Sequence, residues 1–190
     1  MTSELLDRAR LRMAEVHPHA LHLESTLHWA LQLDGNASEA LRIAAVTHDI
    51  ERAFPDPAAS WDSARDWDDP EYVRWHQDRC ADMIAAWLRE QDAPRALVEA
   101  VSALVRVHEE GGWPDADLLQ SADSLSFLEV MTPLVVGWVE SGRASRERAQ
   151  GKLRHSYERM KVPRARELGW PLLQQALTEL DAAAPAEARR

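Results

Sequence analysis

Six residues of the chain combine metal-ligating chemistry with inward-pointing positions or a place beside one: His22, His48, Asp49, His76, His108 and Asp123. Imidazole nitrogens and carboxylate oxygens are ligands for transition-metal ions. Helical spacing turns five of the six toward a core. His22 shares a face with Thr26, Trp29 and Leu33, and His48 follows Leu41, Ala44 and Ala45. His76 lies on the stripe Val73, Cys80, Ile84 and Trp87. His108 continues Leu97, Val101 and Leu104, while Asp123 sits with Leu119, Phe127 and Val130. A single buried imidazole with a hydrogen-bond partner is common in cores. An unpaired buried carboxylate costs several kcal/mol. Five such groups on five helices, with Asp49 beside one of them, need a shared explanation. A metal centre inside a helical bundle supplies it, because the cation compensates both the desolvated carboxylates and the imidazole lone pairs.

Other polar residues are weaker candidates. His28, in STLHWALQL, shares a half-exposed face with Leu21, Ser25 and Gln32, so His22 is the better first ligand. His17 and His19 flank Pro18 and read as capping or surface residues, and His155 reads as surface. Arg52, one turn beyond His48, is the first candidate for holding an anion, with Arg79 and Lys161 behind it. A salt bridge to Asp56 is the plainer alternative for Arg52. Glu109 and Glu110 either orient His108 or are solvated helix-end residues. Residues 141–166 carry nine Lys/Arg against Glu147 and Glu158, a local +7 within a chain of net charge -10. That segment is either a solvated face neutralising an acidic body or a wall facing an anionic substrate.

The elements that position these residues read as helices throughout. Thr2-Ser3 caps a helix to about Val16, and a second runs from about His19 to Leu33, before Asp34-Gly35-Asn36. Ser38 caps a third, SEALRIAAVTHDIER, on which residues 48 and 49 would lie about 100° apart. Asp69-Pro70 starts a fourth, to about Glu90, and Pro94 a fifth, to about Glu109. A sixth covers about Leu118 to Val130, Ser145 caps a basic helix to about Met160, and a last helix follows Pro171. Residues 53–69 have no period and contain Trp61 and Trp67, as expected of a lid or a loop packed on the core. Strand-like alternation and repeats are missing, so the expected class is all-α, a helical bundle with the metal site in its core. The expected organisation is a metal-binding core over 1–135, helices over 136–182 packing on the same domain, and a frayed tail over 183–190.

Composition narrows the function. The acidic balance argues against a non-specific nucleic-acid binder, and seven glycines with no GxGxxG or GKS/T leave no phosphate loop. No apolar run approaches the roughly 20 residues of a membrane span. The sequence MTSELLDRARLRMAEV does not fit a secretory signal, and a single cysteine, Cys80, fits a reducing cytoplasm.

The order His22, His48-Asp49, His76, His108, Asp123, with gaps of 26, 28, 32 and 15 residues, resembles the extended H…HD…H…H…D pattern of the HD-domain superfamily of metal-dependent phosphohydrolases. The stretches HDIER, HEEGG and SADSLSFLEV are similar to an uncharacterised bacterial branch of it, and the resemblance covers residues 15–130. It implies two divalent transition-metal ions, with Asp49 as bridge. His22, His48 and Asp123 would serve one ion, and His76 and His108 the other. Nitrogen and carboxylate ligands suit Fe, Mn, Co, Ni or Zn better than Mg or Ca. The implied reaction is hydrolysis of a small phosphorylated substrate, a nucleotide or another phosphoester, by metal-activated hydroxide. His48, Asp49 and Arg52 would be the catalytic group. A mixed-valent diiron oxygenase and a non-catalytic metal-binding module share the same ligands and remain as alternatives.

Overall fold

The computed structural model describes residues 3–56 and 59–183 and is all-α, with ten α-helices and no strands among those residues. They are α1 (Glu4–Val16), α2 (Ala20–Leu33), α3 (Glu39–Thr47), α4 (Ser63–Asp66), α5 (Pro70–Glu90), α6 (Arg95–Val105), α7 (Pro114–Val130), α8 (Thr132–Glu140), α9 (Arg146–Glu158) and α10 (Pro163–Ala182). A single 3-10 turn, Ile50–Ala53, follows α3. Half of the ten helix starts are set by side chains that satisfy the first free N–H groups. Ser3 accepts from Leu6 N, Ser38 from Leu41 N, Asp69 from Glu71 N and Ser145 from Arg148 N. No single helix is long and apolar enough to cross a membrane among the described residues.

Besides an earlier start of α7, at Pro114, and the short α4 within the segment read as a loop, three boundaries differ from the sequence reading. The third helix ends at Thr47, so His48 and Asp49 lie in the passage from α-helix to 3-10 turn and not on a continuous helix. The fifth helix ends at Val105, and His108 lies in the turn that follows, closed by Gly111 and Gly112 at φ 74° and 139°. The last helix starts at Pro163 and carries Pro171 in its interior. That proline lacks the N–H that would reach back one turn, yet the helix continues because its buried face, Ala165, Gly169, Leu173, Ala176 and Leu180, stays packed. Residues 184–190 of the expected frayed tail lie outside the described residues.

Two apolar clusters make up the core. One gathers α1, α2, α3, α5, α6 and the start of α7; the other gathers the end of α7 with α8, α9 and α10. Helix α7 joins them, giving Leu119 and Ala122 to the first and Leu125 and Leu128 to the second. Trp29 and Leu33 of α2 pack against both. Between those leucines α7 buries a polar band, Asp123, Ser124 and Ser126. Buried polar groups need partners, and theirs define the site at the seam between the clusters.

Candidate metal centre

The structure brings all six inward-pointing residues together at that seam. His22 comes from the first turn of α2, His48 and Asp49 from the end of α3, His76 from α5, His108 from the turn after α6, and Asp123 from the middle of α7. Ring centroids of His22 and His48 are 5.3 Å apart, those of His48 and His108 5.1 Å, and those of His108 and His76 5.2 Å. The potential ligand atoms form two groups, His22–His48–Asp49 and Asp49–His76–His108, each within 4.8 Å of one another. Asp49 belongs to both. Asp123 Oδ1 completes the first, 3.0 Å from His22 Nε2 and 3.3 Å from His48 Nε2. Asp49 Oδ1 lies 3.0 Å from His76 Nε2 and 4.0 Å from His108 Nε2.

The outer nitrogens fix the tautomers. His48 Nδ1 is 3.0 Å from Ala45 O, and His108 Nδ1 is 2.7 Å from Val105 O. A carbonyl only accepts, so both Nδ1 atoms donate. Ser126 Oγ gives its proton to His22 O at 2.8 Å and therefore accepts from His22 Nδ1, also at 2.8 Å. His76 Nδ1 donates to the buried Glu51 carboxylate at 2.9 Å. Every neutral imidazole thus presents its Nε2 lone pair inward. The Nε2 atoms of His48, His76 and His108 are buried without a hydrogen-bond partner. Outer hydrogen bonds that hold each ring and leave the inner nitrogen bare are the arrangement a metal ligand requires. These buried His/Asp groups can hold a metal ion.

The electrostatics agree. Burial works against an ionised Asp49, but His76, whose Nε2 lies 3.0 Å from the carboxylate, and the fields of His48 and Arg52 outweigh it, and its carboxyl is held well below the usual range. Asp123 is likewise lowered against its burial, by His48 and His22. Burial, reinforced by His48 and His76, pushes His108 well below an ordinary histidine, so it stays neutral. His48 and His76 shift the other way: burial opposes their charged forms, but Asp123 beside His48, and Cys80 and Asp49 beside His76, hold both above an ordinary histidine, a positive charge that a bound cation would replace.

A cavity of about 90 Å³ opens against Asp49, Asp123 and His22. Arg52, Lys152 and Arg159 supply its cations, and Trp67, Phe127, Met131, Leu134 and Trp138 an apolar wall. Arg52 therefore lines the cavity. Its guanidinium lies 3.2 Å from Glu51 and not on Asp56, and 5.7 Å from the Tyr72 ring centre. Arg79 and Lys161 are elsewhere: Arg79 donates to Phe54 O at 3.0 Å, and Lys161 faces an outer basin with Glu110 and Arg166.

Sequence reasoning missed Lys152 and Arg159. The basic helix is neither wholly solvated nor wholly an anion wall. Arg148 pairs with Asp68 and Arg146 caps the end of α10 through Leu180 O, whereas Lys152 and Arg159 are turned inward. Arg159 donates to Asp123 and to Glu109, and to Ser124 Oγ at 2.9 Å. The signal was available: Lys152 falls on the stripe of Ala149, Leu153 and Ser156, all buried. Glu51 is a second omission, and its spacing offers no sign that it reaches His76. His17 sits at the C-cap of α1, in line with the capping alternative, but it is not a surface residue. It is buried, its Nδ1 accepts from His19 N at 3.1 Å, and its Nε2 donates to Asp49 O at 3.0 Å, which holds the backbone of the shared carboxylate. His155 is also a correction, half-buried against Trp67 with ring centres 5.1 Å apart.

No family model, curated protein or solved structure matches the chain.

Proposed function

We propose that the protein is a metal-dependent phosphohydrolase acting on a small phosphorylated substrate. One observation carries the reading: the carboxylate shared by both histidine groups borders a cavity whose other polar wall is Arg52, Lys152 and Arg159. Metal-ligand atoms on one side and cations on the other are what an anionic ester needs in order to be held with its phosphorus toward the metal site. His22, His48, Asp49 and Asp123 would hold one ion, and Asp49, His76 and His108 a second. Bound there, divalent ions supply Lewis acidity and activation of water.

The protein's own residues do the rest. Arg52 and Lys152 neutralise phosphate oxygens and orient the ester. Arg159 keeps Asp123 ionised and aligned, so that its Oδ1 stays toward His22 and His48. Glu51 and Ser126 lock the rings of His76 and His22. Trp67 and Phe127 exclude water from the side facing Lys152, which strengthens every charge interaction inside the cavity.

The test is release of inorganic phosphate by the purified protein supplied with Mn or Co, over a panel of phosphomonoesters and nucleotides. Metal-dependent turnover abolished by Asp49→Ala supports the reading. Absence of turnover across the panel, with a visible absorption band and an EPR signal after aerobic purification, points to the diiron oxygenase instead.

A further inference from the structure

Of the three cations bordering the cavity, two already have anionic partners. Arg159 is engaged by Asp123 and Glu109, and Arg52 lies against Glu51 beside Asp49. Lys152 differs. Only 8 % exposed, it has no carboxylate within ion-pairing distance among the described residues. Its ammonium faces aromatic rings instead, 4.9 Å from the centre of Phe127 and 5.6 Å from that of Trp67. A desolvated ammonium in contact with ring faces, with the Asp123 and Asp49 carboxylates acting on it only from beyond ion-pairing distance, is a charge awaiting an anion. Burial also pushes its pKa down to about 8, so it still carries its proton at neutral pH.

Two further donors on the same wall are unpaired: the buried indole N–H groups of Trp67 and Trp138. Phe127, Met131 and Leu134 supply apolar lining, and Ser63 and the unpaired Tyr72 hydroxyl add polar groups. Size sets the last constraint. At about 90 Å³ the cavity is smaller than the roughly 150 Å³ that takes a benzene ring, and far below the roughly 300 Å³ at which pockets for larger ligands begin. A phosphate group with a short aliphatic chain suits that space better than a nucleotide, whose ribose and base would have to project out of it.

Resting on the phosphohydrolase reading, we propose that the substrate is a short-chain aliphatic phosphomonoester and not a nucleotide. Lys152 is the residue that selects its phosphate, and Phe127, Met131 and Leu134 receive its carbon chain.

Binding and turnover separate this inference from the reading beneath it. Calorimetric titration of the metal-loaded protein with propylphosphonate, which has no ester bond to hydrolyse, is compared with titration by AMP, in the wild type and in Lys152→Met. Methionine keeps the apolar stem and removes the charge; metal content and circular dichroism verify that the variant is folded. The expected result is propylphosphonate binding at least tenfold tighter than AMP, weakened at least tenfold in Lys152→Met with metal content unchanged. Equal or tighter binding of AMP, equal binding of propylphosphonate by both proteins, or no binding of propylphosphonate at all would overturn the inference. In parallel, phosphate release from propyl phosphate is measured. Tight, Lys152-dependent propylphosphonate binding without that release leaves the pocket assignment standing and sinks the hydrolase reading alone.

Discussion

Arg159 grips the outer oxygen of Asp123 while the inner oxygen of the same carboxylate faces His22 and His48. One guanidinium at the C-cap of α9 thus ties the second apolar cluster to the Asp123 carboxylate on α7, and through Glu109 to the turn that carries His108. Both partners are nearly sealed from water, with side-chain exposures of 8 % and 6 %. Removing one member of a buried pair leaves the other uncompensated, at a cost of about 3 kcal/mol. In metal-free protein, Arg159→Leu should therefore lower Tm by roughly 6–12 °C. An unchanged Tm by differential scanning calorimetry would show that the pair does not tie the clusters together.

His22 and His28 lie on the same helix but differ in role. His22 is buried with Nε2 3.0 Å from Asp123, whereas His28 is exposed and its ring lies against Trp29. His22→Ala is expected to lose at least one equivalent of bound metal, and His28→Ala to retain the wild-type content. Metal analysis of the two purified variants checks this; the reverse order would remove His22 from the site.

Much of this was legible in the sequence because caps and periodicity are local. Ser3, Ser38, Asp69 and Ser145 announce their helices, and the inward stripes of His22, His76 and Asp123 need only a 3.6-residue period. The end of α3 was not legible. HDIER has good helix formers, yet the chain tightens to a 3-10 turn there, with Asp49 and Glu51 brought to the two nitrogens of His76, a partner 25 or more residues away. Tertiary hydrogen bonds overrule propensity at such a point. The length of the basic helix also hid its function: seen as a run of charge it looks solvated, while its buried stripe already contained Lys152.

Lys152 gives a pH signature. Its pKa is lowered by burial to about 8 from an ordinary 10.5, so between those values the unfolded chain binds the extra proton and the folded protein does not. Stability should rise with pH across that window, by about 3 kcal/mol, and the full penalty should be present below pH 8. Lys152→Met is expected to be more stable than the wild type at pH 7, with the difference fading toward pH 10.5. Urea unfolding at several pH values measures it, and a constant difference would contradict the burial of an unpaired charge.

In the segment before α5, Trp67 borders the cavity, lies 4.6 Å under the Arg148 guanidinium and passes over Gly151, where an added Cβ would meet the indole at ordinary contact distance, 3.4 Å. Trp61 packs instead on Tyr72, 5.7 Å between ring centres. A closing role therefore falls to Trp67. Trp67→Ala should weaken propylphosphonate binding with metal content retained, and Trp61→Ala should affect mainly thermal stability. If Trp67→Ala lowers stability but leaves binding per folded molecule unchanged, the loop is packing and not a lid.

The central claim is that Asp49 serves two ions at once, since it alone belongs to both ligand groups. Metal content per chain, measured by mass spectrometry on the purified wild type and on Asp49→Ala after equal exposure to Mn or Fe, tests it most directly. The account predicts about two ions in the wild type, as in sites where paired ions share a bridging ligand, and fewer than one in the variant. A wild type that binds no metal, or an Asp49→Ala protein that keeps two ions, would contradict it.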